Sequence, residues 1–320
     1  MAGTVSATSE QQVLVEGCAL VDRSERGKLA LTGPDAKAFL NGQVTNEIEK
    51  LVPGTGVYAA FLTHKGKMLG DVRVLDAGDE GVLLDTERVA LQALFDMIRR
   101  FKVGFDVELH KRTLQRGLLS LIGPRVREVV PAAPPADAAE HTHVEASVGG
   151  KPVRLIVTDA GVDVLCNAED TDAVAAALVD AGAVRVSEEA AEVARVERGR
   201  PRYGIELDDA TIPQEAGLND RAVSFTKGCY VGQETVARLF YKGKPNRHLR
   251  GLRLSGGPAA TGDELVLGEK VVGKLGTVVE SERLGGTVAL ALVRREAEPG
   301  ATVRVGDGGV TAEVVELPFS

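Results

Sequence analysis

From about residue 245 onward the chain shows no helical periodicity. It offers short apolar runs cut by glycine: LRGLRLSG, ELVLG, KVVGKLGTVVES, GTVALALV, ATVRVG and VTAEVVELPF. Short strands at regular spacing, separated by glycine, predict a small antiparallel barrel or sandwich.

Upstream, strand and helix patterns mix, which predicts an α+β fold. KLALT (28–32) reads as a strand, and Gly33-Pro34-Asp35 leads into a helix start at AKAFLNGQ. Residues 57–63 and 68–75 read as strands joined by a turn at His64-Lys65-Gly66-Lys67, where Gly66 is free to take positive φ. A third strand follows at 82–84. Residues 87–100 place Val89, Leu91, Leu94, Phe95 and Ile98 near helical spacing, with Arg99 and Arg100 at the end that suits cations. The pattern restarts near Leu114 with a strand (LLSLI), a short helical piece and PAAPPADAAE, which predicts a solvated loop. Strands at 153–158 and 162–166 follow, then helices at 169–181 and 187–198, closed by Gly182 and Gly199. A chain of 320 residues predicts two or three domains. Aromatics are 4% and Trp is absent, so Val, Leu and Ala must fill the cores.

The formal charge of −8, from 38 basic and 46 acidic residues, argues against broad nucleic-acid binding. The three cysteines, Cys18, Cys166 and Cys229, are too few and too widely spaced for a disulfide framework or a cluster ligand set. A reducing cytosol is expected. Met1–Glu10 is small and polar and predicts an unstructured start, not a signal peptide. No apolar run approaches a membrane span, so no membrane association is expected. No Ser-His-Asp arrangement, phosphate loop or metal set is visible.

The most informative segment is Lys227-Gly228-Cys229-Tyr230-Val231-Gly232-Gln233-Glu234. Cys229 follows a lysine and precedes a helical run, and both features favour a thiolate; the alternative is a small packed hydrophobe. Upstream lie Arg195-Val196-Glu197-Arg198-Gly199, Tyr203-Gly204-Ile205-Glu206 and Pro213-Gln214-Glu215-Ala216-Gly217-Leu218. Glu197 by itself could be a solvent-facing helix glutamate. Between 221 and 250 the basic residues Arg221, Lys227, Arg238, Lys242, Lys244, Arg247 and Arg250 face one acid, Glu234. That stretch reads either as an anion seat or as a solvated surface.

KGCYVGQE resembles the signature octapeptide of the YgfZ family, itself related to the T-protein (aminomethyltransferase) of glycine cleavage. The upstream segments resemble the R-x-E-x-G … P-x-E-A-G-L stretch of T-proteins, and the C-terminal strands resemble their closing barrel. The resemblance runs from about residue 12 to 318. It implies a three-domain T-protein-like fold around a central hole: a discontinuous folate-binding domain (12–112 plus 194–244), a ferredoxin-like α+β insert (113–193) and an antiparallel β-barrel (245–320).

The resemblance also implies a tetrahydrofolate or reduced-folate ligand. It gives a functional role to the Cys229 thiol and a pterin contact to Glu197, whose two oxygens can face the ring N–H and amino group of a pterin. Arg221, Lys227, Tyr230, Gln233, Glu234 and Arg238 are carried over as further ligand-binding positions. T-proteins carry G-G-x-x-D-D where this chain has Gly66-Lys67-Met68-Leu69-Gly70-Asp71. One acid is Gly70, so Asp71 alone remains, which argues against aminomethyl transfer. Asp71 could face a ligand or point outward. The implied role is accessory to the assembly or repair of iron–sulfur enzymes, with those enzymes or their assembly factors as partners, an indirect link to tRNA, and a cytoplasmic monomer. The alternatives are a folate-dependent aminomethyl- or methyltransferase and a non-catalytic docking module.

Overall fold

The computed structural model describes residues 7–320. Residues 1–6 of the expected unstructured start lie outside the described residues. Ala7–Glu10 depart from that expectation and open helix α1 (Ala7–Glu16). At ten residues it is too short to hold alone, but Leu14 is buried and Glu10 accepts a hydrogen bond from the Ser187 hydroxyl, so tertiary contacts hold it.

The chain divides into two compact units. Unit 1 comprises the described residues up to Leu62, then Leu69–Ala191 and Arg221–Val231; unit 2 comprises Thr63–Met68, Glu192–Asp220 and Gly232–Ser320. Unit 1 contains β1 (Ala19–Asp22), β2 (Gly27–Thr32), α2 (Ala36–Asn41), β3 (Gly56–Leu62), β4 (Met68–Asp76, from its second residue), β5 (Val82–Thr86), α3 (Leu91–Phe101), β6 (Glu108–Lys111), β7 (Arg116–Ile122), α4 (Val126–Val129), β8 (His143–Val148), β9 (Lys151–Thr158), β10 (Gly161–Asn167), α5 (Thr171–Asp180) and β11 (Val184–Arg185).

These strands form a five-stranded sheet, β3-β4-β5-β2-β6, and a six-stranded sheet, β11-β1-β7-β10-β9-β8. The second takes β1 from far upstream of the 113–193 stretch that supplies its other strands. Leu20, Leu119, Leu121, Val162 and Val164 of that sheet pack with Val174 and Leu178 of α5. A smaller apolar cluster, Leu75, Leu118, Ile156 and Leu165 with Leu83, joins the two sheets. Strand alternation explains what lies beside it. On β4, Val72 and Val74 take one face, while Asp71, Arg73 and Leu75 take the other, and Arg73 reaches Asp163 of the six-stranded sheet.

Helix α3 begins at Leu91, four residues later than the apolar spacing predicts. Glu87 is drawn into an ion pair with Arg26 and Val89 is exposed, so neither joins the helix. Strands β1, β6, β8 and β11 were not apparent in the sequence pattern. The Pro/Ala-rich loop is mostly exposed, as expected, but the chain just beyond it enters the interior at His141.

The later elements are α6 (Glu188–Glu197, its last six residues in unit 2), α7 (Asn219–Ala222), α8 (Gln233–Lys242), β12 (Arg247–Ser255), β13 (Glu264–Leu267), β14 (Lys270–Lys274), β15 (Val278–Ser281), β16 (Gly286–Arg294), β17 (Thr302–Val305) and β18 (Val310–Val315). The seven strands make one antiparallel sheet in unit 2, ordered β14-β13-β17-β18-β12-β16-β15, around Leu252, Leu265, Ala289, Ala291 and Val303. The run KVVGKLGTVVES is two strands, because Gly276 leaves the ladder of β14 to hydrogen-bond Leu290. The α+β class with an antiparallel half-barrel at its C-terminal end therefore stands. Among the described residues no helix is long and apolar enough to cross a membrane.

Candidate functional site

Residues 70 and 71 lie on opposite faces of β4. A Cβ at Gly70 would stand 2.9 Å from the Cβ of Ala90 and 3.2 Å from a Leu94 methyl carbon, in the apolar contact under α3. An acid there would not share Asp71's face, so the Gly70 departure takes no carboxylate from that face.

Asp71 is buried. Its Oδ2 accepts a hydrogen bond from the Tyr58 hydroxyl at 2.6 Å, while buried Oδ1 has no hydrogen-bond donor among the described residues. Burial raises the Asp71 pKa, against the opposing Tyr58 bond. Tyr58 is pushed well up by burial and by the Asp71 charge. The Arg221 guanidinium lies 5.3 Å from the Tyr58 ring centroid and donates to Glu140 at 2.5 Å. Sequence reasoning named Asp71 and Arg221 but missed Tyr58, whose aromatic ring in a half-buried strand was the available signal.

Beyond Asp71 the same face carries a charged network that the sequence reading also missed. Arg73 donates to Asp85 and Asp163, Ser120 donates to Asp163 at 2.6 Å, and Arg26 bridges Asp85 at 2.7 Å and Glu87. Burial alone would raise the Asp85 pKa, but Arg26 and Arg73 hold it at about 2. The signal was charge within largely apolar strands, Asp71-x-Arg73 on β4 and Asp85 on β5.

His141 is buried with φ 71°, and neither ring nitrogen hydrogen-bonds a described protein group. Its Nε2 lies 3.7 Å from Glu140 Oε1, and burial pushes its pKa down to about 4. His143 is also pushed to about 4, by burial first and then by Arg154. Its Nδ1 sits 3.1 Å from an Arg154 Nη atom; arginine only donates, so Nδ1 accepts.

In unit 2, Glu197 closes α6. Its Oε1 accepts from the Ser281 hydroxyl at 2.5 Å and its Oε2 from Arg283 Nε at 2.7 Å. It is therefore not a solvent-facing helix glutamate. Arg195, two residues earlier on α6, donates to Glu192 and Glu206, and Glu206 accepts from both the backbone N–H and the hydroxyl of Thr277. The arginine and glutamate of R-x-E-x-G thus tie α6 to the barrel sheet.

The octapeptide divides between the units, with Lys227 to Val231 in unit 1 and Gly232 to Glu234 in unit 2. Lys227 is buried, and its ammonium donates to the carbonyls of Asn41, Val44 and Asn46 at 2.6, 2.9 and 2.6 Å. Burial lowers its pKa to about 8. All three donors go to carbonyls, so Lys227 anchors the loop after α2 and is not the free cation expected beside the thiol. Tyr230 is buried, with the Lys227 ammonium 5.3 Å from its ring centroid; Cys229 is exposed. Gly232 takes φ 84° before α8, whose first turn holds Gln233 and Glu234. At the hairpin turn, a Cβ on Gly66 would stand 2.8 Å from Thr235 Cβ, so the K-G-K turn packs directly on α8.

The stretch 221–250 is not one open cationic surface. Arg221 pairs with Glu140, Lys227 is buried, Arg247 pairs with Glu215 and Arg250 with Glu316. Acids that a linear reading of charge cannot see neutralise the three arginines. Arg238, Lys242 and Lys244 remain exposed around α8. Among the described residues no three His, Cys, Asp or Glu side chains are grouped to hold a metal ion.

Residues 4–227 match the family model for the GCVT N-terminal domain, and residues 247–320 match the glycine cleavage T-protein C-terminal barrel domain. The chain belongs to the glycine cleavage T-protein family. It is 29% identical over 314 residues to an Arabidopsis thaliana protein named "Putative transferase At1g60990, chloroplastic", covering 95% of this chain and 71% of that one. The crystal structure of glycine cleavage system aminomethyltransferase T from Bartonella henselae superposes with a TM-score of 0.86 at 22% identity, over 98% of this chain and 90% of that one. That likeness shows a T-protein fold. Membership relates the chain to folate-utilising aminomethyltransferases. In unit 1, the undonated Asp71 oxygen suits an N–H-bearing edge of such a ligand.

Proposed function

We propose that this T-protein family member is a tetrahydrofolate-binding accessory protein that supports the assembly or repair of iron–sulfur enzymes, including tRNA-modifying enzymes, in the cytosol. The observation that carries the folate reading is Asp71: a buried carboxyl, braced by Tyr58, with one oxygen lacking a donor. Leaving such an atom unpaired costs about 1–3 kcal/mol, so it is retained where a ligand or bound solvent supplies the donor. Reduced folate, when bound, supplies the nitrogens that carry a one-carbon unit. Asp71 would accept from its N–H groups, and Tyr58 would hold the carboxyl in place. Glu197 is proposed as a pterin acceptor through its R-x-E-x-G match, kept in orientation by Ser281 and Arg283. The accessory role is supported by KGCYVGQE, with Cys229 exposed for a partner and its loop anchored by Lys227.

Calorimetry tests the ligand. A hydrogen bond to a charged group is worth about 1.5–3 kcal/mol, so Asp71→Ala and Glu197→Ala should each weaken tetrahydrofolate binding about 10- to 100-fold. Unchanged affinity in both variants would end the folate reading. Rescue of iron–sulfur enzyme activity in cells lacking the protein tests the accessory role.

One observation favours a second reading, aminomethyl transfer: position 70 faces α3, so the face on which a catalytic carboxyl would act keeps Asp71. Turnover with a lipoylated aminomethyl carrier, abolished by Asp71→Asn, would establish it.

A further inference from the structure

A cavity of about 400 Å³ lies in unit 1, lined by both of its sheets, in the size range of small-molecule sites. Tyr58, Asp71, Arg221 and Cys229 do not line it. One part of the wall is apolar, with Leu83 from the five-stranded sheet and Ile156 and Leu165 from the six-stranded sheet.

The rest of the wall is largely polar, and its charges are unevenly paired. Of its four basic residues, Arg73 is answered by Asp85 and Asp163, and Arg116 by Glu80. Lys28 and Arg112 are not so paired. Lys28 is 4% exposed, and its ammonium donates to two backbone carbonyls, Ser24 at 2.8 Å and Arg26 at 3.0 Å, leaving its third hydrogen free of a protein acceptor. The Arg112 guanidinium makes no hydrogen bond or ion pair with a described residue, whereas its backbone N–H donates to the Lys28 carbonyl at 2.8 Å. Asp85, in the same wall and already held by Arg26 and Arg73, is the acid whose charge reaches Lys28, but neither Lys28 nor Arg112 holds a side-chain ion pair, and the two are neighbours across one backbone hydrogen bond. The remaining lining acid, Asp79, is exposed in the turn after β4.

A buried ammonium with one open donor and, from the neighbouring strand end, an unpaired guanidinium fork lining the same cavity suit a carboxylate. The apolar part of the wall suits a hydrocarbon or aromatic body. We infer that this cavity is a binding site, separate from the Asp71 locus, for a small molecule with an apolar body and a single carboxylate, its head on Arg112 and Lys28 and its body against Leu83 and Leu165. The inference does not rest on the folate reading.

The experiment uses the full chain with labelled isoleucine and leucine methyl groups, titrated with hexanoate and benzoate, and with hexanol and benzyl alcohol as uncharged counterparts. The acids should shift the Leu83, Ile156 and Leu165 methyl signals saturably. Arg112→Gln should weaken them at least tenfold, and Arg112→Lys should restore binding to within about threefold. The alcohols should bind more weakly than the acids and equally to wild type and Arg112→Gln. Arg112 is half-buried and unpaired, so unchanged methyl spectra of the free variants verify that they fold. Absence of saturable shifts, or equal acid affinity in Arg112→Gln, overturns the site. Tetrahydrofolate provides the second arm. If it leaves benzoate binding unchanged, the site is separate; if it displaces benzoate, the cavity is part of the folate site and the inference fails.

Discussion

The interiors of the two units are built on different terms. The sheet of unit 2 closes over Leu, Val and Ala, and the buried polar groups of that unit are few: Glu206 and Glu215, held by Arg195 and Arg247, with Thr211 and Ser281. Unit 1 buries Arg73, Asp85, Asp163, Arg154, His141, His143, Asp71 and Lys28. Apolar burial stabilises at about 25 cal/mol per Å² without geometric demands. Buried ions lose solvation that pairing only partly returns. A fold seeking stability alone would resemble unit 2 throughout, so the charge inside unit 1 marks where the molecule accepts instability in return for positioned polar groups.

The contrast predicts its largest effect at Arg73. Arg73→Met removes the cation shared by Asp85 and Asp163 and leaves Asp163 with Ser120 alone. Breaking a buried pair from one side costs about 3–5 kcal/mol. Urea unfolding should show a loss comparable to Leu265→Ala in unit 2, where a fully buried leucine predicts about 2–5 kcal/mol. A cost under about 1 kcal/mol for Arg73→Met would mean that the interior of unit 1 is wetted, and the contrast would collapse.

The same contrast explains what the sequence made legible. The glycine-cut strands of unit 2 were visible because an apolar half-barrel writes its burial directly into alternation, and six apolar runs became seven strands only because Gly276 interrupts one of them. In unit 1 the charged side chains break that alternation: β6 (ELHK) and β8 (HVEASV) look polar and went unseen. Asp71, Arg221, Glu197 and Cys229 were reachable through motifs. Tyr58 and His141 belong to no motif and were not; nor was Arg73, whose partner Asp163 lies 90 residues away and is brought to it only by folding. Lys227 shows the reverse: its motif was evident, yet its three carbonyl partners, about 180 residues upstream, changed its role.

A smaller effect, with a pH signature, follows from His141. Burial holds its pKa at about 4 in the folded state, against about 6.5 unfolded. The unfolded chain therefore binds this proton first as pH falls. The stability linked to His141 is complete above about pH 6.5 and is lost between 6.5 and 4, on the order of 3 kcal/mol. His143 acts in the same window and direction, while the raised pKa of Asp71 opposes them. His141→Asn should flatten the dependence of unfolding free energy on pH, because asparagine tolerates the positive φ and does not titrate. If the slope between pH 6.5 and 4.5 is the same in both proteins, His141 is not held neutral and unit 1 is less dry than the comparison requires.

The smallest effect on stability is expected at Cys229, and there the comparison moves from interior to surface. Cys18 and Cys166 are buried, and burial raises both pKa values, Cys18 to about 11. Cys229 is exposed on a loop anchored by Lys227. Cys229→Ala removes little packing and should change stability by less than about 0.5 kcal/mol. Iodoacetamide on the folded protein at pH 8 should modify Cys229 alone, with Cys18 and Cys166 reacting only after denaturation, as peptide mass spectrometry would read. Exposure permits reaction but does not establish use, so the chemical test is paired with a functional one. If Cys229 acts on a partner, Cys229→Ala should fold normally yet fail to restore iron–sulfur enzyme activity in cells lacking the protein. Lys227→Met should fail as well, through displacement of the loop, and should expose the labelled thiol to a different environment. Full rescue by Cys229→Ala would reduce the octapeptide to a structural element, with Lys227 and Gly232 sufficient to account for it.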